Sequence, residues 1–175
     1  GKELGMGGAL GVSIADGDPN WQVSIGQELF NSALSVDLNG DAVPDRVIGG
    51  RNGGLLAIDG AQGENLWVFS PAGHQAASNG LFNFYSSLAL EDVDGDDLPD
   101  VLVTNGGDSR SSPGQIRPPG HVLVLSGATG RIIHRLVSPD GNEIYCSPTL
   151  WDRGAGGVDL VFGTGGETLP GSLWR

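Results

Sequence analysis

Two acidic loops of nine residues carry the side chains of this sequence that could do chemistry. The loops are Asp37–Asp45 and Asp92–Asp100, and each places an oxygen-bearing side chain at its positions 1, 3, 5 and 9. Proteins hold Ca²⁺ with about six to eight oxygen atoms from carboxylates, carbonyls and water. Because the same donor spacing occurs twice, the sequence predicts two Ca²⁺ sites. Their side chains are Asp37, Asn39, Asp41 and Asp45 in the first loop and Asp92, Asp94, Asp96 and Asp100 in the second.

The charge of the chain excludes some classes of partner. Its 175 residues include 21 acidic and 9 basic ones, which gives a formal net charge of −12. A nucleic-acid-binding protein needs a basic patch, and the sequence shows none. An anionic membrane surface is disfavoured for the same reason, and no apolar run approaches the roughly eighteen residues of a membrane span. We therefore expect no nucleic-acid partner and no membrane insertion.

The residues on both sides of the two loops repeat as well. Each unit contains four short runs rich in Val, Ile and Leu, separated by Gly, Asp and Asn, a pattern typical of strands. Units of four antiparallel strands that recur along the chain predict an all-β fold of β-propeller-type blades, incomplete in this segment. The expected units are residues 1–30 (the tail of a preceding blade), 31–70 (a blade with a Ca²⁺ loop), 71–138 (a blade with a Ca²⁺ loop and rim insertions) and 139–175 (a partial blade with a degenerate loop).

Some single residues carry expectations of their own. The pairs Asp59-Gly60 and Ser126-Gly127 predict tight turns in which the glycine supplies a positive φ. Trp21 and Trp67 recur at the same blade position, which favours packing between blades over a sugar-stacking face. The lone Cys146 allows no intrachain disulfide and is expected to be a small buried residue.

The acidic loop, with the apolar strand and the Gly-Gly pair that follow it, resembles the calcium-binding FG-GAP or VCBS-type repeat of integrin-α-like propellers. Residues 54–67 resemble the last two strands of a blade from pyrroloquinoline-quinone enzymes, a combination common in secreted bacterial propeller-repeat proteins. The resemblance implies that the same side chains bind Ca²⁺, together with the carbonyls of Val43 and Leu98 at position 7. Ala42 and Asp97 depart from the pattern, because glycine is expected at position 6. If the backbone there is left-handed, Ala42 costs about 1 kcal/mol relative to glycine.

These observations favour a non-enzymatic role. We expect an extracellular or cell-surface protein, secreted and bacterial, in which a calcium-stabilised propeller segment serves as a structural or adhesive scaffold. Its partners would be a protein or glycan at a surface, or further copies of itself. The segment is either an excerpt of a longer chain or completes itself with neighbouring copies, and an open head-to-tail contact would give a filament. The alternatives are a carbohydrate-binding propeller, or part of a quinone-dependent dehydrogenase-like enzyme, which would need a site in a central channel.

Overall fold

The protein is built from antiparallel β-sheets. A computed structural model describes residues 7–24, 29, 31–50, 54–69, 83–106, 117–166 and 170–175. The strands are β1 (Gly8–Val12), β2 (Pro19–Ser24), β3 (Leu34–Val36), β4 (Asp45–Gly49), β5 (Leu55–Ile58), β6 (Asn65–Phe69), β7 (Asn83–Leu90), β8 (Asp100–Gly106), β9 (His121–Leu125), β10 (Ile132–Val137), β11 (Thr149–Asp152), β12 (Val158–Gly163) and β13 (Leu173–Trp174). One 3₁₀ turn, Gly154–Gly156, joins β11 to β12. The predicted all-β fold is confirmed.

Within the described residues the strands form four sheets, which we number in chain order. Sheet I contains β1 and β2, sheet II contains β3 to β6, sheet III contains β7 to β10, and sheet IV contains β11 to β13. In sheets II and III each strand is hydrogen-bonded to the strand before it in the chain, which is the arrangement of a propeller blade. Val36 pairs with Asp45, and Leu90 pairs with Asp100. The first hairpin of each complete sheet therefore closes around an acidic loop.

The core lies between neighbouring sheets and follows from strand periodicity. Alternate residues of a strand face opposite sides of its sheet. In sheet II, Val47 and Leu55 join an apolar cluster with residues of sheet III, whereas Ile48 and Leu56 join another with residues of sheet I. A third cluster, which includes Leu102, lies between sheets III and IV. The two complete sheets are thus apolar on both faces, because both faces are covered.

Two tryptophans connect sheet I to sheet II and sheet II to sheet III. The indole N–H of Trp67 in sheet II donates to the carbonyl of Gly127 in sheet III at 2.6 Å. The indole N–H of Trp21 in sheet I donates to the carbonyl of Gly60 in sheet II at 3.3 Å. A Cβ on Gly130 would lie 2.7 Å from the Trp67 ring, so the ring packs directly on that glycine. The prediction of packing between blades is confirmed.

The turns after β5 and β9 need glycine for a reason other than the predicted one. The positive φ falls on Gly63 (72°) and Gly130 (69°), so its assignment to Gly60 and Gly127 was wrong. A Cβ on Gly60 would lie 2.0 Å from the carbonyl oxygen of Pro44, and the same clash occurs between Gly127 and Pro99 at 1.8 Å. These glycines are therefore required because the end of the acidic loop contacts the turn.

The single cysteine lies at the surface of the protein. Cys146 is exposed, so the prediction of a buried cysteine was wrong. Its sulfur lies 3.1 Å from the backbone nitrogen of Gly163, at the surface of sheet IV.

Most of the two predicted rim insertions, residues 70–82 and 107–116, lies outside the described residues, but Asn83–Tyr85 belong to β7. No helix among the described residues is long and apolar enough to cross a membrane.

A buried histidine lies at the end of sheet III that is remote from the acidic loop. His121 is 2% exposed, and its Nδ1 lies 3.1 Å from Oδ1 of Asn105. A guanidinium nitrogen of Arg135 lies 2.8 Å from Nε2. Burial, followed by the positive charge of Arg135, lowers the pKa of His121 from 6.5 to about 4. The ring is therefore neutral in the folded protein at physiological pH.

Stability is expected to fall as the pH drops from 6.5 towards 4. The unfolded chain then protonates His121 while the folded chain does not, so acid favours the unfolded state. A single proton gives a slope of at most about 1.4 kcal/mol per pH unit. The measurement is urea unfolding of calcium-depleted protein in calcium-free buffer between pH 4.5 and 6.5, for the wild type and H121Q. The slope should be smaller in the variant, and equal slopes would contradict the prediction.

Candidate metal centres

The first aspartate of each acidic loop organises the loop backbone. One carboxylate oxygen of Asp37 accepts the Gly40 N–H at 2.7 Å, and the other accepts the Ala42 N–H at 2.8 Å. Asp92 accepts the corresponding N–H groups of Gly95 and Asp97 at 2.6 and 2.9 Å. The chain at positions 4 and 6 is thereby wrapped around the carboxylate at position 1 in both loops.

These hydrogen bonds keep the two carboxylates ionised. The backbone N–H groups of Asp97 and Gly95 hold the pKa of Asp92 below its ordinary value. For Asp37, desolvation is the largest single influence and raises the pKa. The N–H groups of Ala42, Gly40 and Asn39 together outweigh it, so the pKa of Asp37 is also lowered. Both loops therefore hold concentrated negative charge at neutral pH.

The last aspartate of each loop is fully buried and closes the loop. Asp45 accepts the Leu38 N–H at 2.8 Å with one oxygen and the Gly60 N–H at 2.9 Å with the other. The carboxylate of Asp100 does the same in sheet III. It accepts the N–H groups of Val93 at 2.7 Å and Gly127 at 3.0 Å. Position 9 thus joins the acidic loop to the turn that follows the third strand of the same sheet.

Three carboxylates of the second loop converge. Asp92, Asp94 and Asp100 each offer an oxygen, and these oxygens lie within 4.8 Å of one another. Oxygens bound to one Ca²⁺ at about 2.3–2.6 Å can be at most about 5 Å apart. The donor chemistry and the spacing therefore fit a single Ca²⁺ ion. Asp96 is exposed, and one of its oxygens accepts the Leu98 N–H at 3.0 Å.

The first loop has the same pattern of hydrogen bonds as the second, with one different side chain among the possible metal ligands. Asp41 accepts the Val43 N–H at 2.7 Å, as Asp96 does with Leu98. At position 3 an amide replaces the carboxylate, and Oδ1 of Asn39 accepts the Asp41 N–H at 2.9 Å. The Nδ2 of Asn39 lies 3.4 Å from Oδ2 of Asp59, a buried residue in the turn after β5. From the sequence, Asp59 was predicted only as a turn residue and not as part of the site, because nothing in the spacing of the loop points to a residue so far along the chain.

Position 6 is left-handed in both loops, although neither residue there is the glycine that the resemblance leads one to expect. Ala42 has a φ of 65° and Asp97 a φ of 68°. Among the described residues these are the non-glycine residues with positive φ. A left-handed conformation costs an L-residue roughly 1–2 kcal/mol, less for Asp than for Ala.

Replacing Ala42 with glycine is expected to raise the free energy of unfolding by about 1 kcal/mol, because the strain at position 6 disappears. Urea unfolding of A42G with and without Ca²⁺ would measure the gain. A33G, at an exposed alanine before β3 whose φ is not positive, is the control and should be neutral or destabilising. A loss of stability in A42G would contradict the prediction.

The third loop, residues 152–159, places arginine side chains against its last aspartate. Nε of Arg153 lies 3.0 Å from one oxygen of Asp159, and Nε of Arg175 lies 2.6 Å from the other. In the first two loops, the backbone N–H at position 2 donates to the last aspartate. In the third loop, the residue at position 2 is Arg153, and its guanidinium makes that contact instead. The positively charged guanidinium groups of Arg153 and Arg175 therefore lie beside the Asp159 carboxylate.

Sheets of four antiparallel strands whose first hairpin carries an acidic loop define β-propeller-like blades. Residues 84–117, which include the whole second loop, match the family model described as FG-GAP repeat. The resemblance to this repeat, which was predicted from the loops, is confirmed.

Two relatives share more of the chain. It is 30% identical over 159 residues to Protein FAM234A of Bos taurus, a match that covers 84% of this chain and 28% of that protein. It is 29% identical over 126 residues to Protein FAM234A of Homo sapiens, covering 70% and 22% of the two chains. The chain thus spans less than a third of the length of these relatives. Both relatives are mammalian, so they lend no support to the expected bacterial source.

Proposed function

We propose that this chain is a calcium-stabilised segment of β-propeller blades that serves as a non-enzymatic structural or adhesive scaffold. The observation that carries the proposal is the convergence of oxygens from Asp92, Asp94 and Asp100 to within 4.8 Å of one another. The two Ca²⁺ ions would be held by Asp37, Asn39, Asp41, Asp45 and the Val43 carbonyl, and by Asp92, Asp94, Asp96, Asp100 and the Leu98 carbonyl.

The electrostatics of the loops support this role. Two like charges about 4 Å apart repel by roughly 4 kcal/mol at an effective dielectric constant of about 20. A bound Ca²⁺ would supply the compensating positive charge. Asp45 and Asp100 tie each loop to a turn of the same sheet, and that turn accepts a tryptophan from the preceding sheet. The binding free energy at a loop would therefore stabilise the fold of the whole blade.

The third loop would close without a metal ion. Arg153 and Arg175 already place positive charge on both oxygens of Asp159. We therefore propose two Ca²⁺ sites in this chain and not three.

A surface role follows from the repeat class. FG-GAP repeats generally mediate protein interactions, and proteins that contain them are often extracellular or on the cell surface. Extracellular Ca²⁺-binding modules have dissociation constants of about 10⁻⁴–10⁻³ M. We propose a protein or glycan at a surface, or another copy of this chain, as the partner.

Removal of calcium tests the proposal. Chelation with EGTA should lower the melting temperature, and added Ca²⁺ should restore it. Each site should raise the free energy of unfolding by about 3 kcal/mol when the free Ca²⁺ concentration is about a hundredfold above the dissociation constant of that site. Isothermal titration calorimetry should find two ions per chain.

The variant D41N/D96N, which removes one exposed carboxylate ligand from each loop, should weaken binding at both sites. An unchanged melting temperature together with no binding heat would overturn the proposal.

A further inference from the structure

We infer that Asp59 is a positioning residue for the first metal loop: it orients the Asn39 amide so that oxygen, and not nitrogen, faces the ion. This role of Asp59 rests on the proposed function, since it requires a Ca²⁺ ion in the first loop. The Asn39 Nδ2 lies 3.4 Å from Oδ2 of Asp59.

The Asp59 carboxylate is held rigidly by its own turn. Its Oδ1 accepts the N–H groups of Ala61 at 2.8 Å and Gln62 at 2.7 Å. The residue is 6% exposed. The other oxygen, Oδ2, lies 3.4 Å from the Asn39 Nδ2 and also 3.4 Å from the Gln62 Nε2. Both neighbours are NH₂ groups, so Oδ2 acts as an acceptor towards Asn39.

An asparagine at position 3 needs such an acceptor. Its side chain has one oxygen, which can bind Ca²⁺, and one NH₂ group, which cannot. A carboxylate accepts hydrogen bonds and donates none when ionised, so Asp59 attracts the NH₂ group and repels the oxygen. The amide oxygen is therefore left inside the loop, where it accepts the Asp41 N–H.

The second loop provides a comparison within the same chain. Position 3 there is Asp94, whose two oxygens are equivalent, so no orientation is required. The turn residue that corresponds to Asp59 is Ser126, whose hydroxyl oxygen accepts from the Thr129 hydroxyl at 3.0 Å. Sheet II thus combines Asp59 in the turn with an amide at position 3 of its loop. Sheet III combines Ser126 in the turn with a carboxylate at position 3.

Two substitutions that remove the same charge distinguish orientation from simple electrostatics. In D59N, the amide oxygen is needed by the N–H groups of Ala61 and Gln62, so its NH₂ group would face Asn39. Two donors would then oppose each other, and the Asn39 amide would turn its NH₂ group towards the ion. In D59S, the shorter side chain retains the turn, as Ser126 does, and presents no donor fixed at Asn39.

The experiment is a Ca²⁺ titration of the chain followed by ¹H–¹⁵N NMR. The Gly40 amide signal reports the first loop, and the Gly95 signal reports the second. We expect D59N to weaken binding at Gly40 about tenfold, and D59S about threefold or less, with Gly95 unchanged in both. The melting temperatures of both variants in EGTA show whether the fold is retained.

A rescue completes the test. In N39D/D59N, the NH₂ group of the new asparagine faces a carboxylate, so affinity at Gly40 should return to within about threefold of the wild type. N39D alone, which places two carboxylates side by side, should not bind more tightly than the wild type.

Equal losses in D59N and D59S, or no rescue, would overturn the inference. Wild-type affinity in D59N would overturn it as well, while the proposed function stands. The absence of a response at both Gly40 and Gly95 would instead overturn the proposed function.

Discussion

Replacing Trp67 with alanine is expected to lower the free energy of unfolding by about 4 kcal/mol. The side chain is 7% exposed and belongs to the apolar cluster between sheets II and III. Its indole N–H also donates to the Gly127 carbonyl at 2.6 Å. The substitution therefore opens a cavity between two sheets and leaves a buried carbonyl without its donor. Urea unfolding followed by far-ultraviolet circular dichroism would measure the loss.

A second variant separates the loss of packing from the loss of the hydrogen bond, and a third serves as a control. W67F keeps most of the ring volume and loses the hydrogen bond, so it should cost less than W67A, about 1–2 kcal/mol. W21A is the matched control at the preceding boundary. Trp21 is only partly buried and its hydrogen bond is longer, 3.3 Å, so the loss should be smaller than for W67A. A loss below about 1 kcal/mol in W67A would contradict the account of the boundary.

The substitution D100N is expected to cost about 3 kcal/mol, even with EGTA present. The buried carboxylate accepts the N–H groups of Val93 and Gly127 with its two oxygens. Asparagine has only one oxygen, so its NH₂ group would face one of the two donors. Hydrogen bonds to charged groups contribute about 1.5–3 kcal/mol each, and a buried donor left unpaired adds to the loss.

The structure offers both a replicate and a control for this prediction. D45N repeats the change in sheet II, where the same two contacts are made to Leu38 and Gly60, and should cost a similar amount. D96N changes an exposed carboxylate with one short-range contact and should cost less than about 1 kcal/mol in EGTA. If D100N and D96N were equally mild without calcium, position 9 would have no structural role apart from the metal.

The sequence was informative where the signal is local. The strands that flank each acidic loop could be predicted because a short run of Val, Ile and Leu bounded by Gly, Asp or Asn depends only on near neighbours. Position 6 stood out because the resemblance leads one to expect glycine there, and Ala42 and Asp97 do have a positive φ at that position. The FG-GAP repeat was recognisable for the same reason, since its donors lie within nine residues.

The features that the sequence did not disclose depend on contacts between distant segments. Gly60 is required because Pro44, from another turn, lies against it, and no local rule for turns contains that information. The role of Asp59 requires β5 to end beside the loop that precedes β4. The position of Arg153 beside Asp159 depends on how a shortened loop closes. Cys146 was misplaced because an apolar neighbourhood in the sequence does not determine which face of the chain is covered.

The three apolar clusters, each confined to one boundary between neighbouring sheets, make the chain energetically one-dimensional. In the language of statistical mechanics, it behaves as a short Ising lattice whose sites are the sheets and whose couplings are the boundaries. Weakening the coupling at Trp67 should divide the lattice into two domains of cooperativity that melt separately. Weakening a site at its acidic loop should instead lower the transition of the whole lattice. The ratio of calorimetric to van't Hoff enthalpy distinguishes the two outcomes, because it exceeds unity only when the lattice has divided.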